Sequence, residues 1–288
     1  MKQVVNHSAF MLTIIVILVL SLIFVVGIGQ KKQNKLTMEL TSLQKDISKN
    51  NPPAVNSNEN NTEAASKPVS TAVLSNSTYK GVKALGNFDN DRWKNKKWYT
   101  IGDGMSAANN YQLKVKAMTG MDMVINDAAA NRVMKDLTSN ISAEKLKDMD
   151  LITVLAGTND FAYNTPLGTI EDNDTQATFY GNVKKVINDI LKAKPDANIV
   201  FITPLKRGTF MNEPVYPNPN KAGYKMEDYV QGIKAVCSTY NILVLDAFNK
   251  SGITENNLKQ YTIDNLSLNE KGYQKLSQVI SDYIKTIK

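Results

Sequence analysis

Two residue types are almost missing. The 288-residue chain has one histidine, His7, and one cysteine, Cys237. A single cysteine excludes an internal disulfide and any cysteine-based metal cluster. The single imidazole stands ahead of a long apolar run, so no folded region downstream carries one. Ser–His and Cys–His catalysis and histidine-ligated zinc are thereby excluded for that region. A strong excess of one charge is missing too. Residues 78–288 hold 27 basic and 23 acidic side chains, a net of +4 out of the +7 of the whole chain. That balance is too mild for a nucleic-acid surface, and no nucleic-acid partner is expected. With 42% hydrophobic and 21% charged residues, the composition is that of a globular protein, not of a collagen-like, wholly disordered or disulfide-scaffold chain.

What is present starts with Phe10–Ile28, a run whose only polar members are Thr13 and Ser21. At helical rise it spans about 28 Å, close to the hydrocarbon thickness of a bilayer. A cleaved signal peptide has a shorter apolar core before a small-x-small site, and Gly27-Ile28-Gly29 matches such a site poorly. The expectation is a retained transmembrane signal anchor over residues 10–28, after a short tail of residues 1–9. Lys31, Lys32 and Lys35 follow the run, whereas only Lys2 precedes it. The positive-inside rule alone would put the C-terminal side in the cytoplasm. The polar segment that follows, and the family resemblance described below, argue for an extracytoplasmic domain instead. Leu36, Leu40, Leu43 and Ile47 form a two-heptad seam. It fits either a juxtamembrane helix over residues 29–49 or a homodimeric coiled coil through residues 36–47. Residues 50–78 are rich in Asn, Ser, Thr and Pro without periodicity, the composition of a flexible tether.

Residues 79–288 alternate short apolar runs with helix-length amphipathic stretches. Strands are predicted at Trp98–Ile101, Leu113–Ala117, Leu151–Leu155, Ile199–Ile202 and Ile242–Leu245. Helices are predicted at Met121–Thr138, Thr175–Lys192, Met226–Tyr240 and Glu270–Ile287. Such alternation, with nearly continuous apolar strands, indicates an α/β fold whose parallel five-stranded sheet is covered on both faces. Ligands of open parallel sheets sit at the carboxyl ends of the strands, so the residues after each strand carry the functional information. The segment Arg92-Trp93-Lys94-Asn95-Lys96-Lys97-Trp98 interleaves cations with aromatics. It reads as a sugar or polyanion contact, or as a solvated lead-in to a strand. The loop Pro214-Val215-Tyr216-Pro217-Asn218-Pro219 reads as one wall of a sugar cleft, or as a connector.

After the first predicted strand stands Gly102-Asp103-Gly104, and after the second Gly120. After the third stands Gly157-Thr158-Asn159-Asp160, and before the last helix Asp264-Asn265-Leu266-Ser267. In these positions the chain resembles the SGNH hydrolase family, also called the GDSL esterases. Its blocks are Gly-Asp-Ser, a Gly, Gly-x-Asn-Asp and Asp-x-x-His in that order. The resemblance implies a flavodoxin-like three-layer α/β/α fold. It also implies oxyanion-hole donors at Gly120 and Asn159, a triad acid at Asp264, and a crevice flanked by Asp103 and Asp160.

Two departures matter. The position of the family's nucleophile holds Gly104, and that of its base holds Ser267. A serine hydroxyl attacks only when a positioned base takes its proton, and a second hydroxyl does not accept one near neutral pH. Ser106 is two residues past Gly104, about 200° around a helix and so on the wrong face. The bland alternatives are structural. Ser267 with Glu270 forms a capping-box pattern, and Asn159 and Asp160 can simply tie down their loop. Asp103, Asp160 and Asp264 could instead converge on a cation or do acid–base work on a glycan. No metal and no cofactor are expected. The reading from sequence is therefore a membrane-anchored, extracytoplasmic SGNH-like protein without Ser–His hydrolysis. It would bind a cell-envelope polysaccharide, peptidoglycan, an acylated ligand or a partner. The alternatives are an active esterase or acetyltransferase with an unrecognised base, and a structural spacer.

Overall fold

Lys97–Gly102 and Leu151–Leu155 lie side by side at the centre of a parallel sheet, and every residue of both strands except Lys97 is buried. In the computed structural model, which describes residues 84–210 and 218–288, five strands run in the order β2-β1-β3-β4-β5. These are β1 Lys97–Gly102, β2 Met123–Ala128, β3 Leu151–Leu155, β4 Ile199–Ile202 and β5 Leu243–Leu245. All neighbouring pairs are parallel. The sequences KWYTIG, LITVL and IVFI are β-branched, aromatic and apolar on both faces, which suits strands covered above and below.

Period-2 alternation divides those side chains between two cores. Tyr99, Ile101, Ile152, Val154, Ile199 and Phe201 face one layer, with α5 (Phe179–Ala193) and α6 (Met226–Thr239) packed on them. Trp98, Leu151, Leu155, Val200 and Ile202 face the other, under α2 (Asn110–Thr119) and α9 (Glu270–Ile284). Phe179, Val183, Val186, Ile187 and Ile190 recur at helical spacing and give α5 its buried stripe. The Trp98 indole donates to Thr153 Oγ1 at 2.9 Å, so the one polar end of a fully buried ring is satisfied. The expected three-layer α/β architecture is present.

One stretch differs from the sequence expectation. Leu113–Ala117 is helical within α2, and the second strand is Met123–Ala128, inside the segment predicted as a helix. The alternation of Leu113, Val115 and Ala117 imitated a strand. The buried residues are Tyr111, Gln112, Val115 and Thr119, a stripe at helical spacing, while Leu113 is exposed. β2 pairs only with β1 and is an edge strand with half-exposed side chains, so its apolar signal is weak. After it comes a 3-10 helix, Met134–Asn140. The remaining connectors are short helices: α1 Gly104–Ala107, α3 Ala143–Leu146, α4 Thr158–Ala162, α7 Ala247–Lys250 and α8 Leu258–Tyr261. α5 starts later than predicted because the Thr178 side chain caps it, accepting from Gly181 N.

The Arg92–Trp98 segment is no sugar platform. Trp93 and Trp98 are both buried, and the Trp93 indole donates to Ile284 O at 2.7 Å, pinning the lead-in to β1 against the end of α9. Residues 1–78, and with them the expected tail, anchor, juxtamembrane seam and tether, lie outside the described residues, as do residues 214–217 of the Pro-rich loop. Among the described residues no helix is long and apolar enough to cross a membrane.

Candidate functional site

The crevice is built where β1 and β3 end. Gly102 is required there, because a Cβ would fall 2.5 Å from Leu155 O and 2.7 Å from Ser106 Oγ. The next residue, Asp103, caps α1 by accepting from Met105 N at 3.0 Å, while its own N–H donates to Leu155 O at 3.2 Å. Gly104 follows at the start of α1 in ordinary backbone conformation, and the direction of its absent Cβ is open, with Ala130 Cα 3.7 Å away. Ser106 points inward and is fully buried. Its Oγ lies 2.8 Å from Tyr111 OH, and its carbonyl accepts from both Gln112 and Asn126 side chains at 2.8 Å. It cannot act as a nucleophile from there.

Gly120 sits elsewhere. It is the left-handed C-cap of α2 (φ 68°) and its carbonyl accepts from Asn95 N at 2.8 Å, beside the start of β1. It therefore precedes β2 and lies at the opposite end of β1 from Asp103. The expectation of an oxyanion donor at Gly120 is corrected, since it followed from the misplaced second strand. The residue that turns in the left-handed region after β2 is Asn131, with φ 65°. Asparagine tolerates that conformation better than most residues. An Asn three residues past a strand was the available signal, hidden by the helix prediction.

Asn159 does reach the crevice. Its Nδ2 donates to Arg132 O at 2.9 Å, tying the loop after β3 to the loop after β2. The bland reading of Asn159 is thus part of the picture, and its second amide hydrogen is not engaged by this bond. Gly157 opens α4 with φ 119°, a conformation that favours glycine.

Asp264 and Ser267 come together in one loop. Asp264 accepts from Ser267 N at 2.6 Å, from Leu266 N at 3.0 Å and from Ser267 Oγ at 2.8 Å. Partial burial alone would push this carboxyl up, but the three hydrogen bonds outweigh it and hold it below the usual carboxylate range. The loop is fastened to the one after β4 through Gly208 N donating to Asn265 O at 2.8 Å. Ser267 is not a helix cap, contrary to the capping-box pattern. Asn269 caps α9, accepting from Gly272 N at 3.0 Å. We expect Asn269→Ala to lower unfolding stability by about 1 kcal/mol. Ser267→Ala, at an exposed position, should change it by less than about 0.5 kcal/mol. Denaturant titrations that rank the two variants the other way would contradict this assignment.

Beneath the crevice floor, Asp103 and Asp160 are buried and repel each other electrostatically. Burial pushes each up to about 7; the hydrogen bonds from Met105 N to Asp103 and from Met134 N to Asp160 offset this only in part. One oxygen of each, Asp103 Oδ2 and Asp160 Oδ1, has no hydrogen-bond partner among the described residues. Asp264 does not join them, and among the described residues no group of three or more acidic, cysteine or histidine side chains is placed to hold a metal.

Comparison with known proteins agrees with this fold. Residues 86–275 match the family model described as the GDSL-like lipase/acylhydrolase family. A protein from Lactobacillus plantarum superposes with TM-score 0.60 at 21% identity, over 66% of this chain and 97% of that one. A lipase/acylhydrolase from Enterococcus faecalis superposes with TM-score 0.51 at 20% identity, over 67% and 97%. At these identities the likeness is one of fold. No curated protein matches the chain in sequence.

Proposed function

Since the chain belongs to the GDSL-like lipase/acylhydrolase family, we propose that it keeps the family's crevice but has lost its Ser–His hydrolysis, and that it binds rather than cleaves. One observation carries this reading. Gly104 stands directly after Asp103 at the end of β1, where the family resemblance calls for a serine, and the only histidine of the chain is His7. The Ser267–Asp264 pair supports it. Ser267 donates to Asp264 where the family's histidine would, yet a hydroxyl supplies no base. The donors that remain are the Asn159 side chain and the backbone amides of Gly104 and Asn131. Through Arg132, Asn159 is tied to the loop that holds Asn131.

In this reading the apolar run at residues 10–28 anchors the protein in the cell membrane, residues 50–78 tether it, and the domain faces outward. A cell-envelope polysaccharide, peptidoglycan or an acylated segment of either is then the ligand class within reach. Fold alone does not fix this choice. The expected result is no hydrolysis of aryl acetates above background and no labelling by a serine-directed fluorophosphonate. Losing a triad member costs several powers of ten in rate, and here two of three are missing. Turnover that disappears in Asn159→Ala would show an active esterase with a different base.

A further inference from the structure

The start and end of the domain are laced together at the end of the sheet opposite the crevice. Lys288 N donates to Ala84 O at 3.2 Å and Asp89 N to Lys285 O at 2.9 Å, and Leu85 and Ile287 form an antiparallel bridge. The following residues run along the amino ends of the strands: Asp122 N donates to Lys96 O and Asp150 N to Lys97 O, each at 2.9 Å. Asp103 and Asp160, by contrast, stand past the carboxyl ends of β1 and β3. The chain therefore enters the domain on its base, with the crevice at the far end of the strands.

That base carries an unusual pair of side chains. Leu85 is 45% exposed and Phe88 52%. Most other large apolar residues of the entry segment are buried, including Trp93 and Trp98. Cations lie close by. Lys285 Nζ stands 5.4 Å from the Phe88 ring centroid and donates to Asn90 Oδ1 at 3.2 Å, but Lys285 is only 8% exposed. The cations that reach solvent are Arg92, Lys94 and Lys288, close in the chain or in the paired terminal segment. Asp89 and Asp91 offset part of this charge, Asp91 through a 3.9 Å contact with Lys94, and two positive charges are left over among these six residues.

We propose that this base is a membrane-contact face, on which Leu85 and Phe88 enter the headgroup boundary of an anionic leaflet while the surrounding cations meet its phosphates. The inference rests on the anchor reading of residues 10–28. The occupant follows from where the chain leads: residue 84 connects, through the preceding sequence, to a run long enough to span a bilayer. An exposed aromatic and an aliphatic side chain flanked by solvent-reaching cations match a lipid interface, where apolar area and anionic headgroups add. A domain held by its own tether meets the leaflet at high effective concentration, so a small contact face suffices. Docked in this way, the crevice points away from the lipid and toward the envelope polymer.

The test uses the full chain reconstituted in vesicles of phosphatidylcholine, with or without one third phosphatidylglycerol. A fluorophore is attached at Asn87→Cys, between the two apolar residues, or at Ile263→Cys, 77% exposed in the loop beside Asp264. Cys237 is buried and is not labelled. Lipid-borne nitroxide should quench the label at position 87 several-fold more than that at 263. The difference should grow with phosphatidylglycerol and collapse in Leu85→Ser/Phe88→Ser and in Lys94→Glu/Lys288→Glu, which reverses two exposed cations. If the chain floats with the vesicles but position 87 stays as open to an aqueous quencher as 263, docking is refuted and the anchor stands. If the chain does not float with the vesicles at all, the anchor reading fails and the docking proposal with it.

Discussion

Gly104→Ser combined with Ser267→His is expected to give the crevice weak esterase activity. A side chain at position 104 has room, since the nearest atom to its Cβ would be Ala130 Cα at 3.7 Å, and the backbone there needs no glycine conformation. At position 267 the hydroxyl already donates to Asp264 Oδ2 at 2.8 Å. An imidazole there can present its Nδ1–H to the same acceptor and leave Nε2 for the new hydroxyl. Asp264 is suited to orient it, because its hydrogen bonds keep it ionised. Replacing Ser267 does not uncap α9, which depends on Asn269. General-base assistance contributes about a hundredfold or more. We therefore expect aryl acetate turnover at least about a hundred times that of either single variant, which should both stay at background because triad members act as a unit. Fluorophosphonate labelling at position 104 should appear only in the double variant. A folded double variant with neither turnover nor labelling would remove positions 104 and 267 from the crevice chemistry and favour the spacer or partner-binding reading.

The second large effect is a loss of stability as pH rises. Asp103 and Asp160 are pushed up by burial from the ordinary aspartate value of 3.8 to about 7. Between those values the folded protein holds protons that the unfolded chain has released. Unfolding free energy therefore falls as pH increases through this window, and the loss is complete above about pH 7. The two sites interact, so the titration belongs to the pair. A drop on the order of a few kcal/mol between pH 4 and pH 8 is expected. Asp103→Asn keeps an oxygen to accept from Met105 N while removing the charge. It should raise the thermal midpoint at pH 8 relative to the parent and flatten the slope. A parent midpoint that is level from pH 5 to pH 8, with Asp103→Asn superimposed on it, would show that these carboxyls ionise freely in the fold.

Both expectations trace back to what different levels of description supply. The central strands were legible because Leu151–Leu155 and Ile199–Ile202 are apolar on both faces, a pattern that only a doubly covered sheet accommodates. The α6 and α9 stripes were legible for the same kind of reason, and composition alone gives a single histidine, His7. Local patterning therefore determined the fold class and the family resemblance.

Tertiary structure decided the rest. An edge strand, bonded on one side and half-exposed, leaves too little apolar signal to compete with a short helix that imitates alternation. β2 was consequently missed, and Gly120, expected after the second strand, lies before it, with Asn131 making the left-handed turn that follows β2. Capping was likewise settled by three-dimensional reach, because Ser267 spends its hydroxyl on Asp264 and leaves α9 to Asn269. Burial is non-local by nature. No spacing in the sequence reveals that Asp103 and Asp160, 57 residues apart, are both buried past the carboxyl ends of β1 and β3, or that the Trp93 ring turns inward while Phe88 is half-exposed. Those facts arise only when distant segments exclude water together, and they set the charge state under the crevice and the apolar face at its base.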